Sequence, residues 1–362
     1  MIRILLVDDS AVARAILKQF AEKNSLIEVC GEATNGLQAI EAAKQLNPDA
    51  IIMDIAMPVM DGIEATKQIS LISSVPIIIF STEASAQLSY FALEAGAVDI
   101  IQKPDFTKMT NSAIARLFDK IIALALNFRI NKEPLAPENY LKHTDISFNK
   151  TSVETFRNRK NYQIIVIGAS TGGPQAILEI LSLLPASFPL PIIITQHIDS
   201  TFDKSFVEWL NKNTKLSVKL VTNMMAAEAG KVYIAPANKH LLISDITTST
   251  KIYLSLSNEE ALHFLRPSVD KLFFSAAPIF KEHCIAILLT GMGHDGAEGM
   301  KAIKINGGYT IAQNKTSCAI YGMPRSAIEL DAVCNILALN KIAKEICYCC
   351  DVKMQLKGHL HE

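Results

Sequence analysis

Short, nearly unbroken apolar runs recur along this chain, and most are followed by an amphipathic helical stretch. In the first third the runs are Arg3–Val7, Glu28–Ala33, Ala50–Asp54, Pro76–Phe80 and Asp99–Gln102. Helical spacing occupies Ala11–Lys23, Gly36–Leu46 and Gln87–Ala95, and a fifth helix is expected over roughly Thr107–Leu126. A strand apolar at nearly every position must be covered on both faces, which is the condition of a parallel sheet flanked by helices. On the fifth helix Leu117, Ile121 and Leu124 form a stripe suited to core packing.

From about Asn127 to Asn161 the pattern lapses into polar, proline-bearing sequence without a sustained period. Runs resume at Gln163–Ile167 and recur at Pro191–Thr195, Val218–Leu220, Lys231–Ala235, Ile252–Leu256, Ala286–Thr290 and Gly308–Ala312. Within this half, Val232–Leu256 reads as a hairpin insertion rather than a strand–helix unit. The expected fold class is α/β with two doubly wound parallel-sheet domains, over residues 1–126 and 162–350, a linker at 127–161 and a tail at 351–362.

A length of 362 residues suits two or three domains with separate cores. The net charge of −1 argues against a nucleic-acid or anionic-membrane surface spread over the molecule. No apolar run approaches the ~18 residues a membrane span needs. The opening Met1–Asp9 is apolar too briefly for a signal peptide, so a cytoplasmic protein is expected. The seven cysteines are odd in number and lie in apparent core segments, apart from the cluster Cys347, Cys349 and Cys350. That cluster, with His359 and His361 near it, offers metal ligands but lacks paired Cys-x-x-Cys spacing. Reduced thiols on a terminal helix are the favoured reading.

In a parallel sheet, residues just beyond the strands' carboxyl ends converge on one crevice. Asp8 and Asp9 follow the first run, Asp54 ends the third, Ser81 follows the fourth and Lys103 the fifth. Three crowded carboxylates call for a cation, and hard oxygen ligands favour Mg²⁺. Lys103 can hold a phosphoryl group as a point charge, and Asp54 can accept that group as an acyl phosphate. Singly, Asp8 and Asp9 read as helix caps and Lys103 as a surface charge. Their joint placement at matching strand ends argues against that. Residues 1–105 resemble a two-component response-regulator receiver domain, with Met57-Pro58 and Asp61-Gly62 also in place. The resemblance implies a flavodoxin-like fold with Asp54 as phospho-acceptor. It implies that Asp8 and Asp9, with the carbonyl of Ala56, bind Mg²⁺, and that Ser81 and Lys103 sense the phosphate. Ile100 stands where many such domains carry an aromatic residue.

In the second half, Ile164–Ile167 runs into Gly168-Ala-Ser-Thr-Gly-Gly-Pro174, a strand breaking into a glycine turn and a helix. Ser170 on that turn lies beside the unpaired N–H groups that open the helix, which suits an acyl-transfer nucleophile. A nucleotide-phosphate cradle is the rival use of these glycines; the dinucleotide fingerprint is absent. The next run ends on His197, a candidate base, and Ala286–Thr290 leads to a glycine turn containing Asp295, a candidate orienting acid. His294 is a competing base, more in keeping with an exposed or structural role.

Residues 162–346 resemble the catalytic domain of the chemotaxis protein-glutamate methylesterase/glutaminase family. The resemblance rests on Gly168–Pro174, Gln196-His197, Val232–Pro236, Arg266-Pro-Ser-Val-Asp270, Thr290–Ala297 and Tyr321–Pro324. It implies a Rossmann-like domain, the triad Ser170, His197 and Asp295, and no cofactor there. Thr171, Met292 and Arg266 are expected on the oxyanion and substrate side. For Arg266 an ion pair with Asp270 is an equal alternative. The implied partners are methylated chemoreceptors as substrate and a chemotaxis histidine kinase as phosphodonor, with neither nucleic acid nor membrane insertion. The implied control has the unphosphorylated receiver covering the active-site mouth. Rival readings are a non-enzymatic regulator, a DNA-binding output, which lacks a basic recognition helix, and a hydrolase for another esterified protein.

Overall fold

The computed structural model describes residues 1–82, 86–103, 111–132, 154, 156–157, 161–248 and 250–354. The chain forms two compact units, Met1–Pro134 and Leu135–Glu362.

The first unit alternates strands and helices throughout: β1 (Ile2–Val7), α1 (Ala11–Ala21), β2 (Ile27–Ala33), α2 (Gly36–Leu46), β3 (Ala50–Met53), α3 (Gly62–Ile72), β4 (Ile77–Ser81), α4 (Ala86–Glu94), β5 (Asp99–Gln102) and α5 (Asn111–Lys132). All strand pairs are parallel, in the order β2-β1-β3-β4-β5. Ser10, Asn35 and Asp61 cap α1, α2 and α3 by accepting N–H bonds three residues on. The three central strands form the core: Ile4–Leu6 of β1, Ile51 of β3, and Ile77 and Ile79 of β4 are inaccessible to solvent. The connections leave β1 on opposite sides, so β1 and β3 flank the switch point where such sheets open a crevice. Val7 pairs with Met53, which sets Asp8 and Asp54 side by side just beyond.

On α5 the stripe of Leu117, Ile121 and Leu124 is buried, as core packing requires. The helix does not stop at Leu126, however. It continues through Asn127 to Lys132, where a linker was expected to begin. Ala125 is buried and Arg129 forks onto the Asp49 carboxylate and the Met1 carbonyl, so this turn has tertiary partners that polarity along the chain conceals. The start expected near Thr107 lies outside the described residues.

The second unit holds β6 (Ile164–Ala169), α6 (Gly173–Ser182), β7 (Ile192–Gln196), α7 (Asp203–Asn213), β8 (Ser217–Leu220), β9 (Met225–Ala227), β10 (Lys231–Ile234), β11 (His240–Ile243), β12 (Ile252–Ser257), α8 (Val269–Phe280), β13 (Cys284–Leu288), α9 (Ala297–Ile305), β14 (Tyr309–Gln313), α10 (Met323–Glu329), β15 (Asn335–Leu337) and α11 (Leu339–Cys349). Seven strands form a parallel sheet ordered β15-β14-β13-β6-β7-β10-β8. A separate antiparallel sheet is ordered β11-β12-β9. The hairpin expected over Val232–Leu256 therefore begins later, at His240 pairing with Ser257. Val232, Tyr233 and Ile234 are all buried and belong to the large parallel sheet, a strand covered on both faces.

Two residues from the expected linker are held against this unit. Arg157 makes a bidentate pair with the buried Glu345 (2.9 and 2.7 Å), and Phe156 stacks on Tyr309 with ring centroids 5.0 Å apart. The Tyr309 hydroxyl donates to the same carboxylate at 2.7 Å. A buried Glu345 needs such partners, and a contact spanning 188 positions leaves no local signature. The remaining linker residues 133–153, 155 and 158–160, and the tail from residue 355, which includes His359 and His361, lie outside the description.

Candidate active site and acidic crevice

The central strands β13, β6 and β7 are neighbours, and each carries one candidate residue past its carboxyl end. Ala169 pairs with Gln196, so the next residues outward are Ser170 and His197, on strands about 4.8 Å apart. The chain at Ser170 is pinned from three directions. Its N–H donates to the Thr290 carbonyl (3.0 Å), while its carbonyl accepts from Gly173 N–H (2.8 Å) and the Gln196 side-chain amide (2.8 Å). The same Gln196 amide donates to the His197 carbonyl at 2.9 Å, and His197 N–H donates to Ala169 at 3.0 Å. Gly291 packs against this turn so closely that a Cβ there would lie 2.7 Å from the Ser170 Cβ. Only glycine fits. At Gly172, the residue before α6, φ is +74°, a left-handed conformation that glycine adopts at least cost.

His197 Nε2 lies 2.8 Å from Asp295 Oδ2. Asp295 is buried, and three further donors saturate its carboxylate: Ser268 Oγ (2.8 Å), Val269 N–H (2.7 Å) and Asp270 N–H (3.1 Å). Those donors are the N-cap and first turn of α8, whose exposed amides and dipole favour an anion. Burial alone would push the Asp295 carboxyl up. The bond and charge of His197, followed by the α8 amides, override it and bring the carboxyl down to about 2. An ionised carboxylate is acceptor-only, so Nε2 must carry a proton, and Nδ1 is the ring nitrogen not engaged by Asp295.

In the first unit Lys103 Nζ bridges Asp8 Oδ2 and Asp54 Oδ2, each at 2.8 Å. Asp8, Asp9 and Asp54 offer oxygens within 4.8 Å of one another, the only such group of three or more metal-ligand residues among the described residues. Asp54 also accepts from Ile55 N–H at 2.8 Å. Burial pushes its carboxyl up, Lys103 pulls it back, and the Asp8 charge pushes again; the net direction is upward. Asp9 is exposed and Ser81 is buried, with its carbonyl accepting from Lys103 N–H. An added cation would relieve this excess of carboxylates, so the residues fit a hard divalent metal.

Residues 165–346 match the CheB methylesterase family, and residues 4–114 match the response regulator receiver domain family. A protein-glutamate methylesterase/protein-glutamine glutaminase of Clostridium acetobutylicum is 36% identical, over 95% of this chain and 96% of its own length. The chain belongs to the CheB family. A second CheB relative of the same description, from Vibrio vulnificus, is 36% identical over 95% of this chain and 97% of its own length. The crystal structure of the Thermotoga maritima CheB methylesterase catalytic domain is 37% identical, covering 51% of this chain and 97% of that one, with a TM-score of 0.49.

The remaining expected residues of this CheB chain fall less neatly. Met292 is 41% exposed on the glycine turn beside Ser170, and Thr171 is buried. Arg266 is exposed, its guanidinium on the carbonyls of Asn258 and Glu259 (3.2 Å each). It makes no ion pair with Asp270, which is buried and instead accepts from Gly299 N–H at 2.7 Å. Burial, with the Asp295 charge adding to it against the Gly299 bond, pushes Asp270 up to about 6. His294 is exposed and packs edge-on against His263 at 4.6 Å, away from the role of base. Sequence reasoning missed Gln196, Ser268 and Asp270 as supports, although all three lie in segments it singled out. Burial pushes the Cys347 thiol up to about 11 and Cys350 to about 12, so both stay protonated at neutral pH. Among the described residues no helix is long and apolar enough to cross a membrane.

Proposed function

We propose that Ser170, His197 and Asp295 hydrolyse the γ-methyl esters of glutamate side chains on methylated chemoreceptors, under control of phosphorylation at Asp54. The observation that carries this reading is the 2.8 Å bond from His197 Nε2 to a saturated, ionised Asp295, at the sheet edge where Ser170 stands next to His197. His197 Nδ1 takes the Ser170 Oγ proton as Oγ attacks the ester carbonyl. Backbone N–H groups of Thr171 and Met292, which have no acceptor among the described residues, are the proposed oxyanion donors. The imidazolium gives that proton to the methoxy oxygen as its bond to the ester carbon breaks, so methanol leaves and an acyl-serine remains. Water, deprotonated by the same imidazole, releases the carboxylate. A glutamine side chain enters the same cycle with ammonia as the leaving group. Arg266 stands exposed for contact with an acidic substrate surface.

In the receiver unit, Asp54 is the proposed acceptor of a phosphoryl group from a chemotaxis histidine kinase, with Ser81 and Lys103 sensing it. Asp8, Asp9 and Asp54 would hold Mg²⁺, which supplies charge neutralisation at the phosphoryl oxygens when bound. A cytoplasmic site of action follows from such partners.

Methanol release from methyl-labelled receptor, with and without a small phosphodonor, tests the reading. Ser170→Ala should lose turnover by about 10⁵- to 10⁶-fold while still accepting phosphate. Asp54→Asn should keep basal turnover and lose the phosphodonor response. Ser170→Ala turning over at the parental rate would end the proposal.

A further inference from the structure

The catalytic turn and the start of α8 exchange carboxylates. Asp295 stands just before α9 yet caps the first turn of α8, through Ser268 Oγ and the N–H groups of Val269 and Asp270. Asp270, the second residue of α8, does the converse: its Oδ1 accepts from Gly299 N–H at 2.7 Å, in the first turn of α9. Two helix amino ends thus face two buried carboxylates, each end carrying roughly half a positive charge. The helices approach closely enough that a Cβ on Gly299 would lie 2.5 Å from the Phe273 Cβ and 3.1 Å from Asp270 Oδ1.

We propose that Asp270 is a positioning residue for the Asp295–His197 pair: by tying down the amino end of α9, it fixes the turn that aims the Asp295 carboxylate. The inference rests on Asp295 being the partner of the catalytic base. Its physical basis is that neither carboxylate can move alone. Displacing α9 from Asp270 shifts the 294–296 turn, and displacing Asp270 withdraws a backbone donor from Asp295 itself. An error of about 1 Å in such a constellation costs on the order of 10²-fold in rate. Asp270 touches neither substrate nor reacting atoms, so its effect should appear in turnover and not in binding.

The experiment measures kcat and KM for ester hydrolysis by the full-length chain with phosphodonor, well below each variant's melting temperature. Asp270→Ala and Gly299→Ala should each lower kcat by about 10- to 100-fold and leave KM within about twofold. Asp270→Asn keeps an oxygen acceptor for Gly299 N–H and should recover most of the loss. If the alanine chain at 270 does not fold, Gly299→Ala and the low-field proton resonance of the His197 Nε2–H in Asp270→Asn carry the test. Parental kcat in the folded Ala variants overturns the proposal, as does a loss confined to KM or an Asn variant as impaired as Ala. Asp295→Asn runs beside them as reference: full turnover there would sink the triad assignment itself, a different result from full turnover at position 270.

Discussion

Asp54 and Asp295 are both buried carboxylates in the crevice at the carboxyl edge of a parallel sheet, yet their surroundings treat the charge in opposite ways. Asp54 has one backbone donor and one shared ammonium, with two more carboxylates close by, and its carboxyl is pushed up. Asp295 has four donors, among them the first turn of a helix, and is drawn down to about 2. Burial is common to both, so burial does not decide the outcome; the number of donors and the sign of the neighbouring charges do. A carboxylate left short of donors keeps its basicity, which suits the phospho-acceptor role proposed for Asp54. One saturated with donors is a poor base and serves to orient a histidine.

That contrast can be broken most sharply at Asp295. Replacing it with asparagine should cost about 10⁴-fold in kcat, because the imidazole loses the acceptor that fixes its tautomer. A loss below about tenfold would mean that the carboxylate only caps α8. Gln196→Leu comes next. It removes the donor shared by the Ser170 and His197 carbonyls; the Ser170 carbonyl keeps its bond from Gly173 N–H, whereas the His197 carbonyl loses its partner at a cost of about 1 kcal/mol. Turnover should fall by about 10- to 100-fold, whereas an unchanged rate would show that the turn holds its shape without this clamp.

The smallest effect is in stability against pH. Because the folded chain raises Asp54, it binds a proton more readily than the unfolded chain between the ordinary carboxylate range and the raised value. Stability of the first unit should therefore fall as pH rises through that window. In chelator, Asp54→Asn should melt above the parent at neutral pH, with the gap closing towards pH ~4. Asp295 has the opposite sign: its contribution is present above the ordinary carboxylate range and is lost as pH falls through that range towards about 2. Calorimetry of both units over pH would show a uniform gap if the contrast were false.

Much of this arrangement was visible in the sequence because central parallel strands are apolar at every position. The five strands of the first unit appear as five apolar runs, and Ser170, His197 and Asp295 stand where runs end, so the switch-point rule locates them. Short or half-buried strands gave no such signal: Met225–Ala227, His240–Ile243 and Asn335–Leu337 were not anticipated. Long-range polar contacts were equally silent. An ion pair between Arg266 and Asp270, four positions apart, was one of two equal readings of Arg266, but Asp270 bonds Gly299 across 29 positions and Arg266 turns to carbonyls. Composition cannot reveal which amide a buried carboxylate will find.

Ser170 closes a turn that other residues hold in shape, so removing its hydroxyl should leave the scaffold standing. Asp295 has no such independence. Its carboxylate is a fastening of the helix pair as well as the partner of the imidazole, so any change that loosens the first turn of α8 also frees His197. Stability and activity are therefore tied together at Asp295, whereas at Ser170 they can be separated.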